Sequence, residues 1–174
     1  MNKQTKFITT TGLLIALTIV FQLLSKFVPL GPFSNFITGS LVNACLLIST
    51  SLIGLWGGTI VGIVTPFGAL LTGSAIPLLF TPIISICNFS LVLSFSFLKK
   101  HKLINIIVPP IIKTFLLYAS INMMISIMKI PSEKSKIMLY LFGWPQLVTG
   151  LIGGTIAMII VNRLKNHINL LKDC

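Results

Sequence analysis

The sequence predicts an all-α integral membrane protein: one transmembrane domain over residues 1–174, a six-transmembrane-helix bundle with its N-terminus and C-terminus both cytoplasmic. Three observations carry that reading. Of 174 residues, 55% are hydrophobic and 9% charged, with a mean hydropathy of +1.02, whereas a water-facing domain carries about a quarter charged residues. Apolar runs of about 20 residues, enough to cross a ~30 Å hydrocarbon core as a helix, recur along the chain. Lys and Arg gather in the breaks between those runs, more heavily on one side.

In order, the runs are 7–25, 36–53, 55–73, 76–98, 104–128 and 137–163. The first is too long for a cleavable signal, lacks a small-x-small cleavage site and leads into further apolar sequence. Pro29-Leu30-Gly31-Pro32 separates it from the second. The second and third are nearly continuous, so only a tight turn at Gly54 can part them. Thr72-Gly73-Ser74 follows the third, Lys99-Lys100-His101-Lys102 the fourth and Pro131-Ser132-Glu133-Lys134 the fifth. Tyr140 and Trp144 precede Pro145, where a helix can restart. Strands of a membrane barrel would be shorter and would alternate, which these runs do not.

With the N-terminus inside, the cytoplasmic side collects Lys3, Lys6, Lys99, Lys100, Lys102, Arg163, Lys165 and Lys172. The outside keeps Lys26, Lys129, Lys134 and Lys136. That asymmetry sets the direction, because basic loops stay cytoplasmic.

Charge and chemistry then exclude function classes. The chain has 13 Lys and Arg against two acids, Glu133 and Asp173. The basic residues do not interleave with aromatics, so they suit an anionic membrane surface and not nucleic acid. Cys45, Cys87 and Cys174 follow no metal or redox spacing and read as small hydrophobes. His101 and His167 lie in basic breaks. No cofactor or metal is implied. There is no Gly-x-x-x-x-Gly-Lys-Ser/Thr phosphate cradle, no Asp or Glu within a span to bind a coupling ion, and no Ser/His/Asp set for hydrolysis. The chain therefore reads as no enzyme, but as a transporter subunit powered by other chains.

Polar residues inside the spans point to a ligand site, since polar groups in hydrocarbon must be paired or face a cavity. They are Gln22, Asn43, Thr65, Asn88, Lys113, Tyr118, Asn122 and Gln146. Asn43, Asn88 and Gln146 fall in the outer half or near the midplane, and Tyr118 and Asn122, four apart, share a face. The competing reading for any single Asn is helix–helix hydrogen bonding, worth about 0.6–2 kcal/mol; for the set, a site is the better reading. Lys113 admits two readings. If its helix starts near Ile104 it lies roughly 14 Å deep and needs an anionic ligand group. If the helix starts at Pro109-Pro110 it snorkels to the cytoplasmic face, which is preferred. Trp144 and Tyr140 suit an interfacial belt, with ligand stacking by Trp144, Phe33 or Phe36 as the alternative. Pro66, Pro77 and Pro82 free backbone carbonyls that can meet a ligand.

Small residues four apart let helices approach closely. The pattern occurs at Gly12/Ala16, at Gly54/Gly58/Gly62 and at Gly150/Gly154. Spacing alone does not decide between partner docking and packing within the bundle.

Over its whole length, with Gly12 and Ala16 on the first helix and the Gly-rich turn Leu52–Gly62, the chain resembles the substrate-binding S components of energy-coupling factor (ECF) transporters. The resemblance implies uptake of a vitamin-like small molecule through a prokaryotic plasma membrane. It also implies separate ATPase subunits and a transmembrane coupling subunit. In that family an Ala-x-x-x-Ala motif docks the coupling subunit; Gly12 and Ala16 match it, with Gly in place of the first Ala. Many members carry Pro after the first Gly of the turn and an acidic residue after the last, where this chain has Leu55 and Thr65-Pro66. The expected substrate-binding set is Asn43, Asn88, Lys113, Tyr118, Asn122, Trp144 and Gln146. The alternatives are a self-sufficient small oligomeric transporter or channel, and a ligand-free assembly protein.

Overall fold

The computed structural model describes residues 2–27, 32–73, 78–99 and 101–170. Pro29-Leu30-Gly31, Ser74, Pro77, Lys100, Lys172 and Cys174 from the reading above lie outside them, as do the side chains of Lys26, Lys102, Lys165 and His167.

Every element is helical: α1 (Lys3–Phe27), α2 (Pro32–Ile53), α3 (Leu55–Leu71), a 3-10 turn (Leu78–Phe80), α4 (Thr81–Phe97), α5 (Lys102–Met128), α6 (Ser132–Leu141) and α7 (Trp144–Leu170). Five apolar segments are long enough to cross a membrane: Lys3–Leu24, Phe33–Ile53, Leu78–Phe97, Leu103–Met128 and Ser132–Leu164, the last of them interrupted between α6 and α7. The apolar α3, at 17 residues, spans roughly 26 Å and falls just short. The fold is that of a multi-pass membrane bundle.

Helix ends follow from local chemistry. Gly54 alone separates α2 from α3, at φ 88° and ψ −174°, backbone angles essentially reserved for glycine. Pro82 sits in the first turn of α4, where a missing N–H costs nothing. The stretch 137–163 is not one helix. The chain breaks at Phe142-Gly143 between α6 and α7. Pro145, in the first turn of α7, has no N–H to continue a helix from Leu141. Phe142 is buried in one cluster with Leu117 and Ile121 of α5, which anchors the break.

α2 lies at the centre, with Asn43–Thr50 buried throughout, and packs most extensively on α7. In lipid, helices associate through close van der Waals contact more than by hydrophobic drive, and glycine supplies the closeness. A Cβ on Gly153 would come within 2.6 Å of the Ser40 carbonyl and 2.8 Å of Asn43 Cβ. Gly39 faces Thr149 across the same interface, and Gly150 faces Pro110 of α5. Large apolar side chains such as Ile8, Leu13, Leu71 and Phe115 point outward, toward what lipid would occupy.

Candidate functional site

α5 is continuous from Lys102 through Pro109 and Pro110. Lys113 therefore sits roughly 16 Å along it at 1.5 Å per residue. The helix does not start at the prolines, and Lys113 does not snorkel: it is only 5% exposed, and its Nζ donates to Asn43 Oδ1 at 2.7 Å. Asn43, 2% exposed, donates from Nδ2 to Thr149 Oγ1 at 3.4 Å, and the Thr149 hydroxyl donates to the Gln146 carbonyl at 3.1 Å. One directed chain of donors thus links α5, α2 and α7, starting at a buried ammonium. Glu133 is exposed on α6, and Asp173 lies outside the described residues. Lys113 has no carboxylate partner among the described residues.

This chain ends beneath a pocket of about 50 Å³ lined by Asn35, Phe36, Tyr140, Pro145, Gln146 and Thr149. Its walls are the first turns of α2 and α7 and the end of α6. Trp144 stands beside it, 5.5 Å from the Phe36 ring and 5.8 Å edge-on from Tyr140, and is 54% exposed. A volume of that size admits a polar fragment or a few waters, with the aromatic group rimming whatever extends outward.

Of the seven expected binding residues, Asn43, Lys113, Gln146 and Trp144 come together here. Asn88 does not join them. It is buried and donates to the Gly62 carbonyl at 3.0 Å. Pro66 inside α3 has no N–H to offer its i−4 carbonyl, and that carbonyl belongs to Gly62. Asn88 fills the gap, so the carbonyl freed by Pro66 meets a helix and not an open cavity. Tyr118 is 46% exposed and Asn122 is exposed, both on the outer surface of α5. Phe33 also points outward, 72% exposed. Gln22 and Thr65 pair α1 with α3 through Gln22 Nε2 and the Thr65 carbonyl at 3.1 Å.

Thr149 and Asn35 were not singled out from the sequence. Thr149 lies three residues after Gln146, one helical turn on, and that spacing is the signal that could have found it. Among the described residues, no group of three or more His, Cys, Asp or Glu is placed to hold a metal.

The three small-residue patterns behave differently. Gly58 lies against Thr50 and Val92, Gly62 against Asn88, Gly150 against Pro110 and Gly154 against Ile106, all within the bundle. Gly12 has nothing within 4 Å of where a Cβ would stand, and both it and Ala16 are exposed. With Ile8, Leu13 and Val20 also exposed, this face of α1 carries an uncovered small-residue notch.

No curated protein and no solved structure matches the chain. One family model does match, described as the ECF transporter, substrate-specific component, and it covers residues 6–164. With nearly the whole helical bundle inside that match, the chain belongs to the family of ECF transporter substrate-specific components.

Proposed function

We propose that this chain is the substrate-capture subunit of an ATP-driven uptake system for a vitamin-like small molecule. It crosses a prokaryotic plasma membrane six times, through α1–α5 and α7, with both termini cytoplasmic and α6 lying at the outer surface. The substrate enters from outside between the first turns of α2 and α7, and Asn43, Lys113, Gln146, Thr149 and Trp144 hold it. Separate ATPase subunits and a transmembrane coupling subunit drive its release inward, the coupling subunit docking on Gly12 and Ala16.

The observation that carries this reading is the pairing of two features on one bundle. A hydrogen-bonded chain from buried Lys113 leads to the pocket at the end remote from the N-terminus, and a small-residue notch on α1 stays uncovered. A capture subunit needs both: one surface for cargo and another for the machinery. Polar groups within a span are costly in hydrocarbon and mark pathways or sites, and close helix approach at small residues is how membrane helices associate.

The test is purification from native membranes in mild detergent, followed by mass spectrometry of what accompanies the chain. ATPases and a second membrane subunit should co-purify. Recovery of this chain only with copies of itself, together with uptake by those copies alone in liposomes, would favour a self-sufficient transporter.

A further inference from the structure

We infer that the captured molecule carries an anionic group, a carboxylate or phosphate, which enters between α2 and α7 and becomes the counter-ion of Lys113. This rests on the capture function proposed above and narrows its substrate class.

The first ground is the charge inventory. The chain has two side-chain carboxylates, Glu133 and Asp173. Glu133 is exposed in the first turn of α6, and Asp173 lies outside the described residues. Lys113 is buried, and its hydrogen-bond partner is a neutral amide oxygen. A buried ammonium is costly unless paired and fully hydrogen-bonded, and one amide acceptor meets only one of its three donors. The Cys87 thiol is within electrostatic reach of Lys113 and is the internal rival for the role of partner.

The second ground is direction. Every hydrogen bond in the chain points one way: Lys113 donates to Asn43, and Asn43 donates to Thr149 at the pocket floor. The amide dipole of Asn43 is thereby aligned to bring positive potential toward the pocket. The third ground is the pocket itself. Its lining residues include no acid, and they lie at the starts of α2 and α7, where the helix dipoles favour negative charge. The buried ammonium, the amide dipole it aligns and the two helix N-termini together bring positive potential to one small opening without an acid. An anion at Thr149 would accept from Asn43 Nδ2, and the flexible Lys113 stem would let the ammonium exchange Asn43 Oδ1 for it.

The experiment uses the purified full chain with the small-molecule fraction of yeast extract as probe, and mass spectrometry to identify what the protein enriches. Wild type should enrich a compound that carries a carboxylate or phosphate at neutral pH. Lys113→Met should lower its retention about thirtyfold or more, the scale expected when a buried charge pair loses one member. Lys113→Arg should recover part of it, and Cys87→Ser should retain it as wild type does. An enriched compound that is neutral or cationic overturns the inference while leaving capture intact, and this readout needs no variant to fold. Equal retention by Lys113→Met overturns it as well, as does loss of retention in Cys87→Ser with none in Lys113→Met. Enrichment of no compound by wild type contradicts the capture function itself, and the inference falls with it.

Discussion

Lys113 Nζ and Asn43 Oδ1 meet at 2.7 Å between two helices, with both side chains buried. A hydrogen bond to a charged group is worth about 1.5–3 kcal/mol, so Asn43→Leu should destabilise the chain by that much or more. Asn43→Asp should do the opposite, since it places a carboxylate beside the ammonium. The same carboxylate would occupy the place proposed for an anionic ligand, so this variant should unfold at a higher temperature and retain less from extract. Thermal unfolding in detergent reads the first effect and ligand retention the second. Unchanged stability in Asn43→Leu would contradict the role given to this pair.

Asn88 makes a separable prediction. Its amide compensates the Gly62 carbonyl that Pro66 leaves without a helical donor. Asn88→Leu should cost about 1–3 kcal/mol, the penalty for a buried group left unsatisfied, and should leave ligand retention unchanged. In a Pro66→Ala background the helix can close its own hydrogen bond, so the same substitution should cost less than half as much. An equal penalty in both backgrounds, read by a double-mutant cycle, would refute the compensation.

The orientation proposed above rests on the basic breaks and is open to direct test. A membrane-impermeant thiol reagent applied outside should label a cysteine placed at Ser132, at the start of α6, and spare one placed at His101, before α5. The described native cysteines, Cys45 and Cys87, are buried and give little background. Reversed labelling would turn the pocket toward the cytoplasm and remove the capture reading.

Much of this fold is legible in the sequence because bilayer thickness fixes helix length and a single glycine can mark a turn. Gly54 is such a mark, and the turn stands there at one residue. The stretch 137–163 misleads because hydropathy is blind to direction. Tyr140, Leu141 and Phe142 are apolar or amphipathic enough to read as part of a span, yet Pro145 forces a break and Phe142 turns into the core. The site is legible only in part. Asn43, Lys113 and Gln146 stand out as polar residues in apolar runs, but which of them meet depends on how helices rotate against one another. That rotation is set by contacts such as Gly153 on Ser40, which no single-helix pattern encodes. Tyr118 and Asn122 illustrate the gap: four residues apart they share a face, and it is the outward one. Gly12/Ala16 and Gly150/Gly154 have the same spacing, yet one notch lies open and the other is filled by α5.

The open notch gives the most direct test of the central claim, that one bundle captures cargo at one surface and docks its driver at another. Gly12→Trp with Ala16→Trp adds bulk where the structure has free space, so the variant should fold and enrich the same compound from extract as wild type. It should lose co-purification with the coupling subunit, because association in lipid depends on that close approach, and cells expressing it should lose uptake. Normal uptake by the double variant would contradict the account.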